Sequence, residues 1–307
     1  MNKFISVGVY GGGSWGTALS CLVAKKQRNV KLCLRDKKII SEMNQHNTNT
    51  KYLDNIKLPV NIIATNSFYD LIKSDAIILA LPSNKLMLGI ENLKLSGLDK
   101  NTVLLIATKG LVSHPADLFS NRIKSIISNP IAFISGPNFA KEIAQNILSA
   151  STIASEDMAI ALKLKNTLES ENFIVSITDD IITVQIAGAI KNIIAIRMGI
   201  EEAEGDHSNT KAWLITQGIQ EIKKLSQAFG GKLDTLLQPA VIGDLALTCY
   251  SPESRNRKFG YDLAISNKTT DQNLVEVLKS LRLILELGNL HNIDLPLINS
   301  VAKRLFG

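Results

Sequence analysis

Three observations predict an α/β chain in which a doubly wound sheet domain is followed by an all-helical one. Short β-branched apolar runs alternate with helical stretches through the first half of the 307 residues. A glycine-rich turn, Gly11-Gly12-Gly13-Ser14-Trp15-Gly16, directly follows the first of those runs. Beyond Asp179 the strand signals fade and apolar residues take helical spacing. Strands alternating with helices build a parallel sheet covered on both faces, and a run of helices after them builds its own core. The chain is therefore divided into 1–179, a Rossmann-type dinucleotide-binding domain, and 180–307, a helical substrate and catalytic domain.

The first strand is read over Phe4–Tyr10. It runs into Gly11-x-Gly13-x-x-Gly16, where Gly11 permits the tight turn, Gly13 admits a pyrophosphate to the backbone, and Gly16 lets helix and strand pack closely. Thr17-Ala18-Leu19 continues the helix whose N-terminal N–H groups face anionic oxygens. The second strand, Val30–Leu34, delivers Arg35 and Asp36 about 20 residues after Gly16, where the adenosine ribose sits in such folds. Asp36 suits a free 2′-hydroxyl and Arg35 a 2′-phosphate, so both NAD and NADP stay open. Asn61–Ala64, Ala76–Leu81, Thr102–Ala107 and Ile131–Ile134 are read as further strands, continuously apolar as strands covered on both faces are. Ligands bind beyond the carboxyl ends of such strands, so Gly11–Gly16, Arg35-Asp36, Pro82-Ser83, Lys109-Gly110 and Gly136-Pro137-Asn138 are expected to converge.

In the second half, Ile181–Ala203, Asn209–Phe229 and Asn273–His291 carry helical spacing, punctuated by Gly230-Gly231, Gln238-Pro239 and Ser251-Pro252. A helical domain packed on a nucleotide-binding sheet is expected to leave a cleft for catalysis. Lys191-Asn192 interrupts the apolar stretch Val184–Ala195. An unpaired buried ammonium is costly, so Lys191 is either functional or snorkels from the helix edge. Gly188, one turn earlier on the same face, would admit a ligand or a backbone beside it. Desolvation and a neighbouring cation would lower the Lys191 pKa into a range useful for proton transfer. Asp244 is a candidate to orient Lys191 or to accept from a substrate hydroxyl. Ser254-Arg255-Asn256-Arg257 reads as a helix start with Ser254 as cap: a phosphate cradle with Arg255 as forked donor, or simply a capped surface helix.

Composition narrows the classes. The net charge of +6 comes from 34 dispersed Lys and Arg with only 5% aromatics, a solvated basic surface rather than a nucleic-acid footprint. Cys21, Cys33 and Cys249 are odd in number and lack CxxC spacing, so neither a disulfide framework nor a metal site is expected and a reducing cytoplasm fits. The short apolar run after Met1-Asn2-Lys3 breaks into glycines, as a strand does and a signal peptide does not. No uninterrupted apolar run reaches the roughly 18 residues a membrane span needs, so no membrane insertion is expected.

On the segments Gly11–Leu19, Ala107-Thr108-Lys109-Gly110, Ser135-Gly136-Pro137-Asn138-Phe139-Ala140-Lys141-Glu142, Ala187-Gly188-Ala189-Ile190-Lys191-Asn192, and Gly243-Asp244-Leu245 through Ser254-Arg255-Asn256-Arg257 to Phe259-Gly260, the chain resembles the bacterial NAD(P)-dependent glycerol-3-phosphate dehydrogenases over nearly its whole length. The resemblance implies reduction of dihydroxyacetone phosphate to glycerol 3-phosphate. Lys191 would be the acid/base, with Lys109 and Asp244 beside it. It implies cofactor contacts at Gly11, Gly13, Ser14, Trp15, Gly16, Arg35, Lys109, Ala140, Arg255, Leu274 and Glu276. Substrate contacts would come from Lys109, Gly136, Asn138, Lys191, Asp244, Ser254, Arg255 and Asn256. It further implies a cytoplasmic enzyme supplying phospholipid synthesis, with glycerol 3-phosphate and dihydroxyacetone phosphate as partners and room for a homodimer. Two positions depart from the family pattern: Asn138 replaces Ser or Thr, and Val277 replaces the Gly after Glu276. The rival readings are a two-domain dehydrogenase of hydroxy acids and a nucleotide-sensing regulator without chemistry.

Overall fold

The computed structural model describes residues 4–26, 29–113, 115–266 and 273–306. The chain forms two compact units, Met1–Thr108 with Ser120–Ile181, and Lys109–Phe119 with Ile182–Gly307.

The first unit is a sheet flanked by helices. In chain order it contains β1 (Val7–Tyr10), α1 (Ser14–Ala24), β2 (Val30–Cys33), α2 (Lys37–His46), β3 (Ile62–Thr65), α3 (Phe68–Leu71), β4 (Ala76–Leu79), α4 (Leu86–Leu95) and β5 (Val103–Ile106). There follow α5 (Phe119–Ile126), β6 (Ile131–Ser135), α6 (Ala140–Ala144), β7 (Ser149–Ala154), α7 (Met158–Leu168) and β8 (Phe173–Thr178). The strand order is β3-β2-β1-β4-β5-β6-β7-β8, with only the β6–β7 pair antiparallel. The order reverses between β1 and β4, the switch point at which open α/β sheets bind their ligands. Every residue of β1, β4 and β5 is buried, the reason these runs read as uninterrupted apolar stretches. The first strand is shorter than its sequence signal: Ile5 is 87% exposed, and pairing begins at Val7.

Two strands go beyond the six that the sequence suggests. β7, Ser-Ala-Ser-Thr-Ile-Ala, is a run of mostly small residues buried at nearly every position, and β8 pairs along its whole length. With Ile153 its one large aliphatic residue, β7 lacks most of the usual strand signal.

The second unit is helical: α8 (Ile181–Glu204), α9 (Ser208–Ala228), α10 (Asp244–Tyr250), α11 (Arg255–Ser266), α12 (Asn273–Leu290) and α13 (Pro296–Phe306). The 24-residue α8 is long and apolar enough to cross a membrane by length and composition, but 83% of its most apolar window is buried within the protein. It is the central core helix of this unit, packed with Leu214 and Leu225 of α9 and Leu281 and Ile284 of α12. Residues 109–119 leave the sheet unit to join this core through Leu111 and Leu118. A fully buried Glu221 accepts the Leu297 N–H at 2.6 Å and the Ile298 N–H at 3.1 Å, satisfying donors at the start of α13.

Candidate active site

The glycine-rich turn leaves β1 at the switch point. Gly11 has φ +122°, and a Cβ there would stand 2.2 Å from the Ala80 carbonyl oxygen. A Cβ on Gly16 would collide with the Gly11 oxygen at 1.8 Å, so α1 lies directly on the turn. Gly13, by contrast, faces open space with no atom within 4 Å of where its Cβ would be. It precedes α1 without a side-chain cap, so the first-turn N–H groups of the helix are not claimed by a capping residue. A closed turn on one side and an open, donor-rich face on the other fit the pyrophosphate of a dinucleotide. Ser14 Oγ donates to the Tyr52 carbonyl at 2.8 Å, and Trp15 Nε1 donates to the Ala107 carbonyl at 3.2 Å, which fixes the indole along the sheet edge.

At the end of β2 the two candidate charges differ in their engagement. Asp36 caps α2, accepting from the Lys38 N–H at 3.0 Å and the Ile39 N–H at 3.5 Å, and lies 3.6 Å from Lys51 Nζ. The Lys38 N–H foremost, aided by Lys51, holds its carboxyl below the usual range. The spacing that suggests a ribose partner is thus met by a residue whose carboxylate already has two local duties. Arg35 is exposed beside it.

Gly136 and Asn138 follow β6 and are bound to β7. A Cβ on Gly136 would meet the Ala150 oxygen at 2.4 Å. Asn138 Nδ2 donates to the Pro137 and Ala150 carbonyls at 2.9 and 2.8 Å, and its Oδ1 accepts from Ser151 Oγ at 2.6 Å. The amide at this position therefore ties the loop to the next strand. Ala140 is the first residue of α6 and packs on the sheet core.

The second unit assembles a charge cluster from three distant stretches. α8 carries Lys191, α10 carries Asp244 and Thr248 one turn apart, and Lys109 comes from the segment that joins the helices. Asp244 is 1% exposed. One of its oxygens pairs with Lys191 Nζ and the other with Lys109 Nζ at 2.6 Å. Lys191 Nζ also lies 3.1 Å from Thr248 Oγ1, which in turn donates to the Asp244 carbonyl at 2.6 Å. Burial pushes the Lys191 ammonium down from 10.5 to about 7; Asp244 opposes the shift and the Lys109 charge adds to it. Burial also pushes the Asp244 carboxyl up, but Lys109 and Lys191 outweigh it and hold the group below its ordinary value. Two cations on one carboxylate leave the cluster one positive charge in excess, and release of a proton from Lys191 neutralises it. Such a group can exchange a proton near neutral pH.

Beside the cluster is a cavity of ≈ 120 Å³ lined by Lys109, Asn192, Arg255 and Asn256, with Val277 and Ser280 from α12. Ser254 Oγ accepts the Arg257 N–H at 3.3 Å and caps α11, placing Arg255 and Asn256 on its first turn. Arg257 is committed elsewhere, to Glu202 and to the Ser251 carbonyl at 3.1 Å. Gly188 also lines the cavity, and the neighbour its Cβ would meet is the Lys109 stem at 3.5 Å. Val277 is helical and buried, so the backbone here does not call for glycine. Leu274 and Glu276 lie on the α12 backbone, but their side chains fall outside the described residues. Thr248 and Ser280 are absent from the sequence-based site; the i, i+4 spacing of Asp244 and Thr248 was the available signal for the first.

The N-terminal model of NAD-dependent glycerol-3-phosphate dehydrogenase matches residues 6–161, and the C-terminal model matches residues 180–307. The chain is 44% identical to a glycerol-3-phosphate dehydrogenase [NAD(P)+] of Rickettsia bellii, over 99% of both chains. It is 45% identical to the protein of that name from Rickettsia africae, over 99% of this chain and 96% of the relative. The crystal structure of glycerol-3-phosphate dehydrogenase from Coxiella burnetii superposes with a TM-score of 0.89 at 32% identity, covering 100% of this chain and 95% of that one.

Proposed function

The chain belongs to the NAD-dependent glycerol-3-phosphate dehydrogenase family, and from that premise we propose how its residues carry out the reduction of dihydroxyacetone phosphate to glycerol 3-phosphate. It is an NAD(P)-dependent oxidoreductase. The observation that carries the assignment of roles is the buried Lys109–Asp244–Lys191 cluster beside a cavity lined by Arg255 and Asn256.

Arg255, Asn256 and the α11 N-terminus capped by Ser254 bind the phosphate by charge-assisted hydrogen bonds. Lys191 donates a proton to the carbonyl oxygen as it becomes an alkoxide, and Lys109 stabilises the developing charge. Asp244 holds both ammoniums in place, keeping two like charges within reach of one oxygen. Gly11, Gly13, Ser14, Trp15, Gly16, Arg35 and Ala140 would hold the dinucleotide, which when bound would supply the hydride. The remaining cofactor roles are given to Lys109, Arg255, Leu274 and Glu276, and further substrate contacts to Gly136 and Asn138. Residues 1–179 serve dinucleotide binding and 180–307 serve substrate binding and catalysis, with Lys109 assigned to the second task. The enzyme works in the cytoplasm without membrane insertion, upstream of phospholipid synthesis, with a homodimer as its candidate assembly.

The test is steady-state oxidation of NADH and NADPH by the purified protein with dihydroxyacetone phosphate, with unphosphorylated dihydroxyacetone as control. Turnover that depends on the phosphate is expected. Equal turnover of the two ketones would remove Arg255 and Asn256 from phosphate recognition, and turnover of neither would overturn the substrate.

A further inference from the structure

The segment joining α2 to β3 is fastened to the glycine-rich turn by a fully buried side chain, Asn49. Its Nδ2 donates to the Gly12 carbonyl at 3.1 Å and to Thr17 Oγ1 at 2.9 Å, while its Oδ1 has no hydrogen-bond partner. Thr17, also fully buried, reaches the same Gly12 carbonyl at 3.4 Å. The Asn49 backbone is held in its turn, its carbonyl accepting the Leu53 N–H at 2.8 Å and the Tyr52 N–H at 3.1 Å. On either side Glu42 Oε1 accepts from Thr48 Oγ1 at 2.9 Å and the Thr50 N–H at 2.7 Å. Ser14 Oγ adds a second tie between turn and segment at the Tyr52 carbonyl. An asparagine buried with its oxygen unsatisfied is retained for its two donors, both spent on the turn.

The consequence follows from peptide geometry. In a trans peptide the carbonyl of one residue and the N–H of the next point in opposite directions. Drawing the Gly12 carbonyl inward therefore turns the Gly13 N–H the opposite way, away from the buried Asn49–Thr17 contact, at a residue where an added Cβ would meet nothing within 4 Å. We infer that Asn49 is a positioning residue of the dinucleotide site: through the Gly12 carbonyl and Thr17 it aims the Gly13 N–H at the pyrophosphate. This rests on the dinucleotide reading of the turn, and it adds a determinant of cofactor affinity that lies outside the glycine motif.

The experiment compares the full-length protein with Asn49→Ala, Thr17→Val and Thr17→Ser, measuring NADH and NADPH dissociation constants, kcat, the KM for dihydroxyacetone phosphate, and the thermal midpoint of the cofactor-free protein. Loss of one or two hydrogen bonds that orient the turn is expected to raise the dinucleotide dissociation constants about tenfold in Asn49→Ala and about threefold in Thr17→Val. Thr17→Ser keeps the hydroxyl and should bind like the parent. At saturating cofactor, kcat and the KM for the ketone should hold within about twofold, since the substrate contacts are untouched. Unchanged dinucleotide affinity in Thr17→Val and, if it folds, Asn49→Ala would overturn the inference. So would a loss of affinity in Thr17→Ser equal to that in Thr17→Val. A parent protein that binds neither dinucleotide would instead overturn the reading of the turn itself.

Discussion

The dinucleotide turn and the lysine–aspartate cluster solve opposite problems of charge. On the proposed reading, the turn meets an anion with neutral backbone, so it needs no buried ion and its specificity lies in glycines that permit one path for the chain. The cluster buries Lys191 and Asp244 and brings the half-buried Lys109 against them, so the Asp244 carboxylate is charged because of both ammoniums and each ammonium leans on it. A backbone site is written in one contiguous motif and tolerates change around it. A side-chain site is written in three places and fails as a unit.

The largest effect should come from removing the shared partner. Asp244→Ala leaves two ammoniums without their carboxylate, one of them buried, and is expected to cost about 3–5 kcal/mol of unfolding free energy together with turnover. Denaturant unfolding and steady-state rates check this. A variant of unchanged stability would show that the cluster does not act as one unit. Asp244→Asn keeps the shape without the charge, so Lys191 should lose its proton more readily and the pH range for ketone reduction should move downward.

Lys191→Ala comes next: turnover should fall by about 10²–10⁴ with dinucleotide binding intact, because Lys191 is given no contact with the dinucleotide. The pH profile sharpens the point. Reduction needs the protonated amine and should decline as pH rises through about 7, whereas oxidation of glycerol 3-phosphate needs the free amine and should rise there. Between about 7 and 10.5 the unfolded chain holds a proton that native Lys191 has released, so this group makes stability increase with pH across that window. A reduction rate flat across neutral pH would separate Lys191 from the proton transfer. At Arg255, lysine retains the charge but not the fork, and Arg255→Lys should raise the KM for dihydroxyacetone phosphate by about tenfold.

The same contrast explains what the sequence makes legible. Gly11 to Gly16 and the apolar strands are local patterns, and all appear in the structure, the first strand beginning later than its apolar run and the fourth ending earlier. Lys191 is conspicuous because an ammonium in an apolar helix is an anomaly, but its partners at 109 and 244 are brought to it only by folding. Local chemistry can also carry two meanings. Asp36 has the spacing of a ribose ligand, yet an aspartate just before a helix is also an N-cap, and the structure uses it so. Asn138 has donors and acceptors suited to a substrate, and the structure shows them also tying its loop to Pro137 and to Ala150 and Ser151 of β7, a strand whose mostly small residues give little sign of it in the sequence.

Thr248 tests the comparison at its finest grain. Its hydroxyl accepts from the Lys191 ammonium and donates to the Asp244 carbonyl, so it stabilises the charged amine without carrying charge itself. Thr248→Val removes one neutral hydrogen bond from a cluster otherwise intact, and about a fivefold loss of kcat/KM is expected, the smallest effect of the series. Because the lost bond favoured the ammonium, the decline of the reduction rate should begin at lower pH than in the parent. If instead Thr248→Val equals Asp244→Ala in its cost, the cluster is held by its hydrogen-bond geometry rather than by the balance of its charges, and the contrast with the backbone-built turn narrows to one of location alone.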